Sequence, residues 1–172
     1  MVKINLTHIE TPVGAMIACA TDTGVCLLEF TERKKMDSQM ASMKKLLNGR
    51  IEEKETPILE NLKNELSEYF AGKRQQFTVP LIFAGTEFQK KVWNELLKIP
   101  YGKTISYKQE AINMGHEKAV RAVANANGCN KISIIVPCHR VIGSDGSLTG
   151  YASGVERKQW LLNHEKKSMA NR

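Results

Sequence analysis

At 172 residues, 42% apolar and 25% charged, the chain can build one good core or two small domains, and its make-up is that of a folded globular protein rather than a disordered one. No apolar run reaches membrane-spanning length and the opening Met1-Val2-Lys3-Ile4-Asn5 has no signal-peptide core, so the expectation is a cytoplasmic protein without membrane contact. The net charge of +7 is lopsided: residues 1–80 hold 11 Lys and Arg against 11 Asp and Glu, residues 81–172 hold 14 against 7, and a basic half is the footprint of a surface that meets phosphates.

Val2–Leu6, Ala15–Ala20 and Gly24–Phe30 read as strands separated by Pro12-Val13-Gly14 and Asp22-Thr23-Gly24 turns, which predicts an antiparallel meander with Cys19 and Cys26 in its core. Ser38–Leu47 has Met40, Met43, Leu46 and Leu47 at helical spacing and stops at Asn48-Gly49. Thr56-Pro57 starts a second helix, Thr as cap and Pro at the first position, with Ile58, Leu62, Leu66, Tyr69 and Phe70 inward. Phe77–Pro80 reads as a short closing strand, and the basic stretch 73–85 as the boundary between domains 1–80 and 81–172.

In the second half, Thr86-Glu87-Phe88-Gln89 is a capping box opening a helix to about Ile99, with Phe88, Val92, Leu96 and Leu97 inward and Trp93 at an edge. Ser106–Gln109 repeats the box and begins a short helix ending at Met114-Gly115, and Glu117–Asn127 forms another. Two short helices about a glycine turn make a helix-turn-helix pattern in the basic half. Ile132–Val136 reads as a buried strand ending at Pro137, Val141–Gly143 and Leu148–Gly150 flank an Asp-Gly tight loop, and Val155–Lys166 is helical with Trp160, Leu161 and His164 or Glu165 inward and a frayed tail from Ser168.

Pro137 is followed by Cys138, His139 and Arg140. A thiolate is the nucleophile and a thiol is not, so a reactive cysteine needs nearby positive charge or a base, and His139 and Arg140 are the candidates. In an extended segment Cys138 and His139 point to opposite faces, so a water or a bend has to connect them. Cys19, Cys26, Cys129 and Cys138 form no Cys-x-x-Cys pair or zinc-finger spacing, and neither disulfide nor metal is expected.

Pro137-Cys138-His139-Arg140-Val141-Ile142-Gly143, followed by Gly150-Tyr151-Ala152-Ser153-Gly154 and preceded by Arg121-Ala122-Val123 and Asn130, resembles the O6-alkylguanine-DNA alkyltransferase family, with a match over residues 86–165. The resemblance implies an α+β fold: an N-terminal ribonuclease-H-like α/β domain with a small antiparallel sheet, then a mainly helical winged-helix (helix-turn-helix) DNA-binding domain carrying the cysteine. It implies a monomer that binds double-stranded DNA through the minor groove, flips out an alkylated guanine, with O4-alkylthymine as a second candidate lesion, and moves the alkyl group irreversibly to Cys138 without a cofactor.

The family's roles fall on His139 as the base acting through a water, Glu165 as its orienting partner, Asn130 at the turn beside the nucleophile, and Tyr107 at the departing guanine and the flipping phosphate. Tyr151, Ala152 and Ser153 match one wall of the guanine pocket, with the carbonyls of Cys138 and Leu148 accepting from the guanine amino group. Arg121 matches the arginine that replaces the flipped base, with Ala122 and Asn127 on the DNA-facing helix, and Lys118 and Lys131 flank this region as phosphate contacts. Ala124-Asn125 and Ser153 stand where glycines are usual. The runner-up is a non-catalytic alkyltransferase-like lesion binder, which lacks the cysteine; an unrelated cysteine hydrolase is third.

Overall fold

The computed structural model describes residues 1–33, 35–148 and 150–171. The chain divides into two compact units, Met1–Gly85 and Thr86–Arg172. In the first, β1 (Val2–Thr11), β2 (Gly14–Ala20) and β3 (Val25–Phe30) form the expected antiparallel meander, Leu6 opposite Cys19 and Met16 opposite Phe30. Helix α1 (Met36–Leu46) leads into β4 (Gly49–Glu53), which pairs in parallel with β1, so among the described residues the sheet runs β3-β2-β1-β4 and is mixed, not antiparallel throughout. Sequence periodicity hides β4 because Arg50, Glu52 and Glu53 are exposed on an edge. Gly49 does more than stop α1: a Cβ there would lie 2.2 Å from Ile4 Cδ1, so the buried Ile4 side chain occupies the space that a side chain at 49 would take.

Helix α2 (Pro57–Phe70) starts as expected, Thr56 Oγ1 accepting from Leu59 N–H, and buries Leu59, Leu62, Leu66 and Tyr69 as it packs on β1 and β2. α1 packs on β3 and β4, closing a core of Ile4, Cys19, Cys26, Leu27, Met43 and Ala84, while Leu46 turns outward. The expected strand at Phe77–Pro80 is absent. Thr78 N–H and Val79 N–H donate to the Glu65 carboxylate of α2 at 2.9 and 3.2 Å, and the Thr78 hydroxyl joins them, so the donors a ladder needs are already used. The chain touches the sheet one step later, where Val25 N–H donates to Pro80 O and Ile82 N–H to Val25 O, each at 2.8 Å. That contact covers the free edge of β3 at its first residue, and the strand is buried at every position.

The second unit contains α3 (Glu87–Leu96), β5 (Ile105–Ser106), α4 (Tyr107–Asn113), α5 (Val120–Gly128), β6 (Val141–Ile142) and α6 (Val155–Ala170), with 3-10 turns at Glu117–Ala119 and Cys138–Arg140. The Thr86–Gln89 capping box opens α3 with both reciprocal bonds. Trp93 is in the core rather than at an edge, its indole N–H donating to Ala126 O at 2.9 Å, while Leu97 lies past the last full turn and is exposed. α4 and α5 pack as the helix-turn-helix, and β5 pairs in parallel with β6, Ile105 with Val141 and Ser106 with Ile142. This two-residue ladder brings the segment before Tyr107 alongside the segment after Cys138. α6 runs on past Ser168 to Ala170, its last turn resting Met169 against Gly102.

Ile132–Val136 is not a strand. The run makes buried turns, with Val136 N–H donating to Ile132 O, Ile135 N–H to Ser133 O, and Ile134 in the left-handed region at φ 72°. β-Branched apolar residues were the strand signal, but here they answer to burial: Ile132, Ile134, Ile135 and Val136 are all in the core. A β-branched residue at positive φ costs about 1–3 kcal/mol, which the surrounding packing has to exceed.

Glu110 of α4 is fully buried; Asn127 of α5 donates Nδ2 to its Oε1 at 2.7 Å, and Oε2 has no partner among the described residues. Burial, opposed by that hydrogen bond and reinforced by the charge of Glu95, pushes the carboxyl up to about 7. The folded state therefore holds a proton that the unfolded chain releases near 4.5, so the stability contributed by protonated Glu110 is complete below pH 4.5 and is lost as pH rises through 7. Wild type minus Glu110→Gln should change by about 3 kcal/mol of unfolding free energy across that window. Urea unfolding followed by Trp93 and Trp160, the chain's two tryptophans and both in this unit, measures it; parallel pH profiles would place Glu110 in its ionised form at neutral pH.

Candidate active site

Cys138 is half-buried at the start of its 3-10 turn, where Pro137 ends the preceding run and Cys138 N–H donates to Val136 O at 2.8 Å. The buried Asn130 organises the approach. Its Oδ1 accepts from Ile132 N–H at 3.0 Å, and its Nδ2 donates to Val136 O at 2.8 Å and to Cys138 Sγ at 3.3 Å. An amide donor aimed at sulfur favours the thiolate, the form that accepts best.

The turn sends the His139 side chain inward, fully buried, with Nε2 2.7 Å from Glu165 Oε2 of α6. Glu165 also accepts from Arg140 Nε at 2.8 Å, Arg140 Nη2 at 3.0 Å and Gly102 N–H at 3.2 Å. Burial opposes ionisation of Glu165, but His139 and then Arg140 outweigh it and hold the carboxyl far below the usual range. Against a carboxylate, Nε2 of a neutral His139 carries the proton. Nδ1 is then the free lone pair, and it is buried without a hydrogen-bond partner among the described residues. Burial lowers the proton affinity of His139, helped by the charges of Arg140 and Lys158 and opposed by Glu165. Arg140 was a candidate for the charge beside the thiol; instead its guanidinium is committed to Glu165 and, through Nη1, to Ile99 O at 2.8 Å. His164, the alternative to Glu165, stacks on Trp160 with ring centroids 5.0 Å apart.

Lys158 was not foreseen. It is 0% exposed, its Nζ 3.4 Å from the Tyr107 hydroxyl and 5.5 Å from the ring centroid. Burial lowers its proton affinity and the negative charge available at Cys138 opposes the drop. Burial, with Cys138 and Glu110 adding to it, pushes the Tyr107 phenol up to about 12. A sequence signal for Lys158 existed: it lies three residues before Leu161 and seven before Glu165, on the inward face of α6.

Around this cluster, Leu148 is half-buried, Tyr151 buried, Ala152 exposed and Ser153 half-buried, its carbonyl accepting from Arg157 Nη1 at 3.1 Å; Thr149 lies outside the described residues. Gly150, at φ 79°, lies under Tyr107, where a Cβ would come within 3.1 Å of the hydroxyl. Arg121 and Ala122 are exposed on α5, while Asn127 is 5% exposed with its amide on Glu110, so its side chain belongs to the core and not to a DNA-facing surface. Lys131 is likewise corrected: at 4% exposure it lies over the Trp93 ring, 5.5 Å from the centroid, whereas Lys118 is exposed. Among the described residues no group of His, Cys, Asp and Glu is arranged to hold a metal ion, and no helix is long and apolar enough to cross a membrane.

Residues 4–83 match the ribonuclease-like domain of 6-O-methylguanine DNA methyltransferase and residues 87–167 match its DNA-binding domain. A methylated-DNA–protein-cysteine methyltransferase of Methanosarcina barkeri is 42% identical over 94% of this chain and 96% of its own length. The chain belongs to the 6-O-methylguanine DNA methyltransferase family. The Mycobacterium tuberculosis O6-methylguanine methyltransferase superposes with a TM-score of 0.81 at 38% identity, covering 98% of this chain and 94% of that one. A second structure from that organism, in complex with DNA, gives 0.81 at 37% identity over 97% of this chain and 94% of that one. The methyltransferase family thus accounts for both units of the fold, with the mixed sheet in the ribonuclease-like part.

Asn130→Ala leaves Ile132 N–H buried without its partner, at about 1–3 kcal/mol, and takes one of two donors from Val136 O, which keeps Cys138 N–H. Unfolding free energy should fall by about 1–3 kcal/mol; a loss under about 0.5 kcal/mol in a chemical denaturation series would show that the turn does not rest on this side chain.

Proposed function

We propose that this methyltransferase repairs O6-alkylguanine in duplex DNA by moving the alkyl group to Sγ of Cys138, once per molecule. One observation carries the reading: a half-buried thiol, held by Asn130, sits next in sequence to a buried imidazole whose Nδ1 is bare and whose Nε2 is fixed by Glu165, in a chain of this family. A water spanning Sγ and Nδ1 passes the thiol proton to His139. The thiolate attacks the alkyl carbon in line with the C–O6 bond, the S–C bond forms as C–O6 breaks, and the electron pair leaves on guanine. Tyr107 is suited to hydrogen-bond the departing base: with its pKa pushed up to about 12 it stays protonated, and Lys158 donates to the phenol oxygen. The product thioether is a poor leaving group, so the reaction stops.

Tyr151, the main chain at Ala152, and Ser153 form one pocket wall, with the Cys138 and Leu148 carbonyls reading the amino group. The exposed Arg121 and Ala122 meet the minor groove, Arg121 filling the place of the flipped base, at a flipping cost of a few kcal/mol that damage lowers. No cofactor enters. The protein acts as a monomer in the cytoplasm, where DNA is at hand and thiols stay reduced.

Intact-mass analysis after incubation with O6-methylguanine duplex should show a permanent gain of one methyl group, absent in Cys138→Ser. Binding without a mass gain would make the protein a lesion binder, and the absence of both binding and mass gain would remove the DNA reading. Arg121→Ala should slow transfer from duplex by about tenfold or more while sparing reaction with a free alkylguanine base, because only duplex demands flipping. Equal losses on both substrates would make Arg121 a scaffold residue.

A further inference from the structure

Arg140 is spent entirely inside the protein. It is 7% exposed, it engages both oxygens of Glu165 through Nε and Nη2, its Nη1 holds Ile99 O, and its guanidinium lies 5.6 Å from the Tyr101 ring centroid. An ion pair anchoring α6 would need no more than one of these bonds. The arrangement has a second effect, because Glu165 Oε2 is shared between Arg140 Nη2 and His139 Nε2. A buried carboxylate facing an imidazole alone raises the imidazole's affinity for a second proton, and the pair then rests as carboxylate and imidazolium. An imidazolium has no lone pair left to accept a proton from the thiol.

We propose that Arg140 is a positioning residue for the transfer reaction: by neutralising Glu165 it keeps His139 an uncharged base with its proton on Nε2 and its lone pair on Nδ1. This inference rests on the alkyl-transfer reading above and adds a residue to it. The groups facing His139 are Glu165 and Lys158 from α6, with Arg140 and Cys138 from its own turn; Tyr107 of α4 reaches the cluster through Lys158. Of the charged ones only Glu165 favours the imidazolium; Arg140 and Lys158 oppose it, in the same direction as burial. Arg140 hydrogen-bonds the carboxylate itself, through Nε and Nη2. It also keeps Glu165 ionised, so that the carboxylate remains an acceptor and Nε2 remains the donor, and the tautomer is fixed along with the charge.

The test is the pH dependence of methyl transfer from O6-methylguanine duplex, from pH 5.5 to 9, for wild type, Arg140→Gln and Arg140→Lys. Transfer needs neutral His139, so the rate falls as pH drops through the imidazole pKa. Arg140→Gln should move that acid limb up by about 1–3 pH units and recover much of its rate at high pH. Arg140→Lys, which restores charge without the planar fork, should return the limb toward wild type even if the rate stays low. A glutamine variant slowed equally at every pH, with the limb unmoved, overturns the proposal and leaves Arg140 as an anchor. Should the glutamine variant fail to fold, imidazole nitrogen NMR of the resting wild-type protein decides, with His139 assigned by comparison with His139→Gln. A neutral ring protonated on Nε2 at pH 7 is expected, and an imidazolium overturns the proposal. Absence of any methyl transfer by wild type would instead defeat the alkyl-transfer reading, and the NMR result stands apart from it.

Discussion

A single buried carboxylate ties the second unit together. Glu165, contributed by the last helix, accepts from the imidazole of His139, from two nitrogens of the Arg140 guanidinium and from the main chain at Gly102. Three segments far apart in the chain therefore converge on one ionised group, and each of its oxygens is committed twice. A buried charge is costly unless it is paired and hydrogen-bonded, and removing one partner leaves the rest uncompensated. The reactive turn is consequently fixed by electrostatics at its back while its front, the thiol, stays half-open.

The turn itself depends on a neutral side chain. Asn130 replaces a neighbouring strand by accepting from one end of the Ile132–Val136 segment and donating to the other, which lets the apolar run fold back on itself in the core. The left-handed Ile134 is the local cost of that compact path. The same amide reaches Sγ, so one residue links the conformation of the loop with the electronic state of the nucleophile.

Elements announced by local chemistry were legible in the sequence. The capping box at Thr86 and the Thr56-Pro57 start rest on bonds within a few residues, the meander and the helix-turn-helix on turn signals between neighbouring elements, and all formed. Misreadings came where a distant partner decided the outcome. Phe77–Pro80 lost its strand to Glu65, Ile132–Val136 lost its strand to Asn130, and β4 was hidden because its outward residues are charged. For the site, the family motif marked Cys138, His139, Asn130 and Glu165, and the fold joins Asn130 to Cys138 and His139 to Glu165 by hydrogen bonds. Composition gave no warning that Lys131 and Lys158 are buried cations, since a lysine is expected at the surface and only its place on an inward face argues otherwise. Asn127 was misplaced for the same reason, as a polar residue beside Arg121 whose actual partner is an acid on the neighbouring helix.

The buried cysteines of the sheet bear on selectivity among sulfur atoms. Cys19 and Cys26 are fully enclosed, and burial pushes both thiols up, Cys26 to about 12, so at pH 7 it is ionised in about one molecule in 10⁵. Soft electrophiles react with the anion. Desolvation in the first unit thus acts as chemical insulation: the protein can meet small alkylating agents in solution without collecting adducts in its own β-sheet core, and its nucleophilic capacity is kept for the second unit.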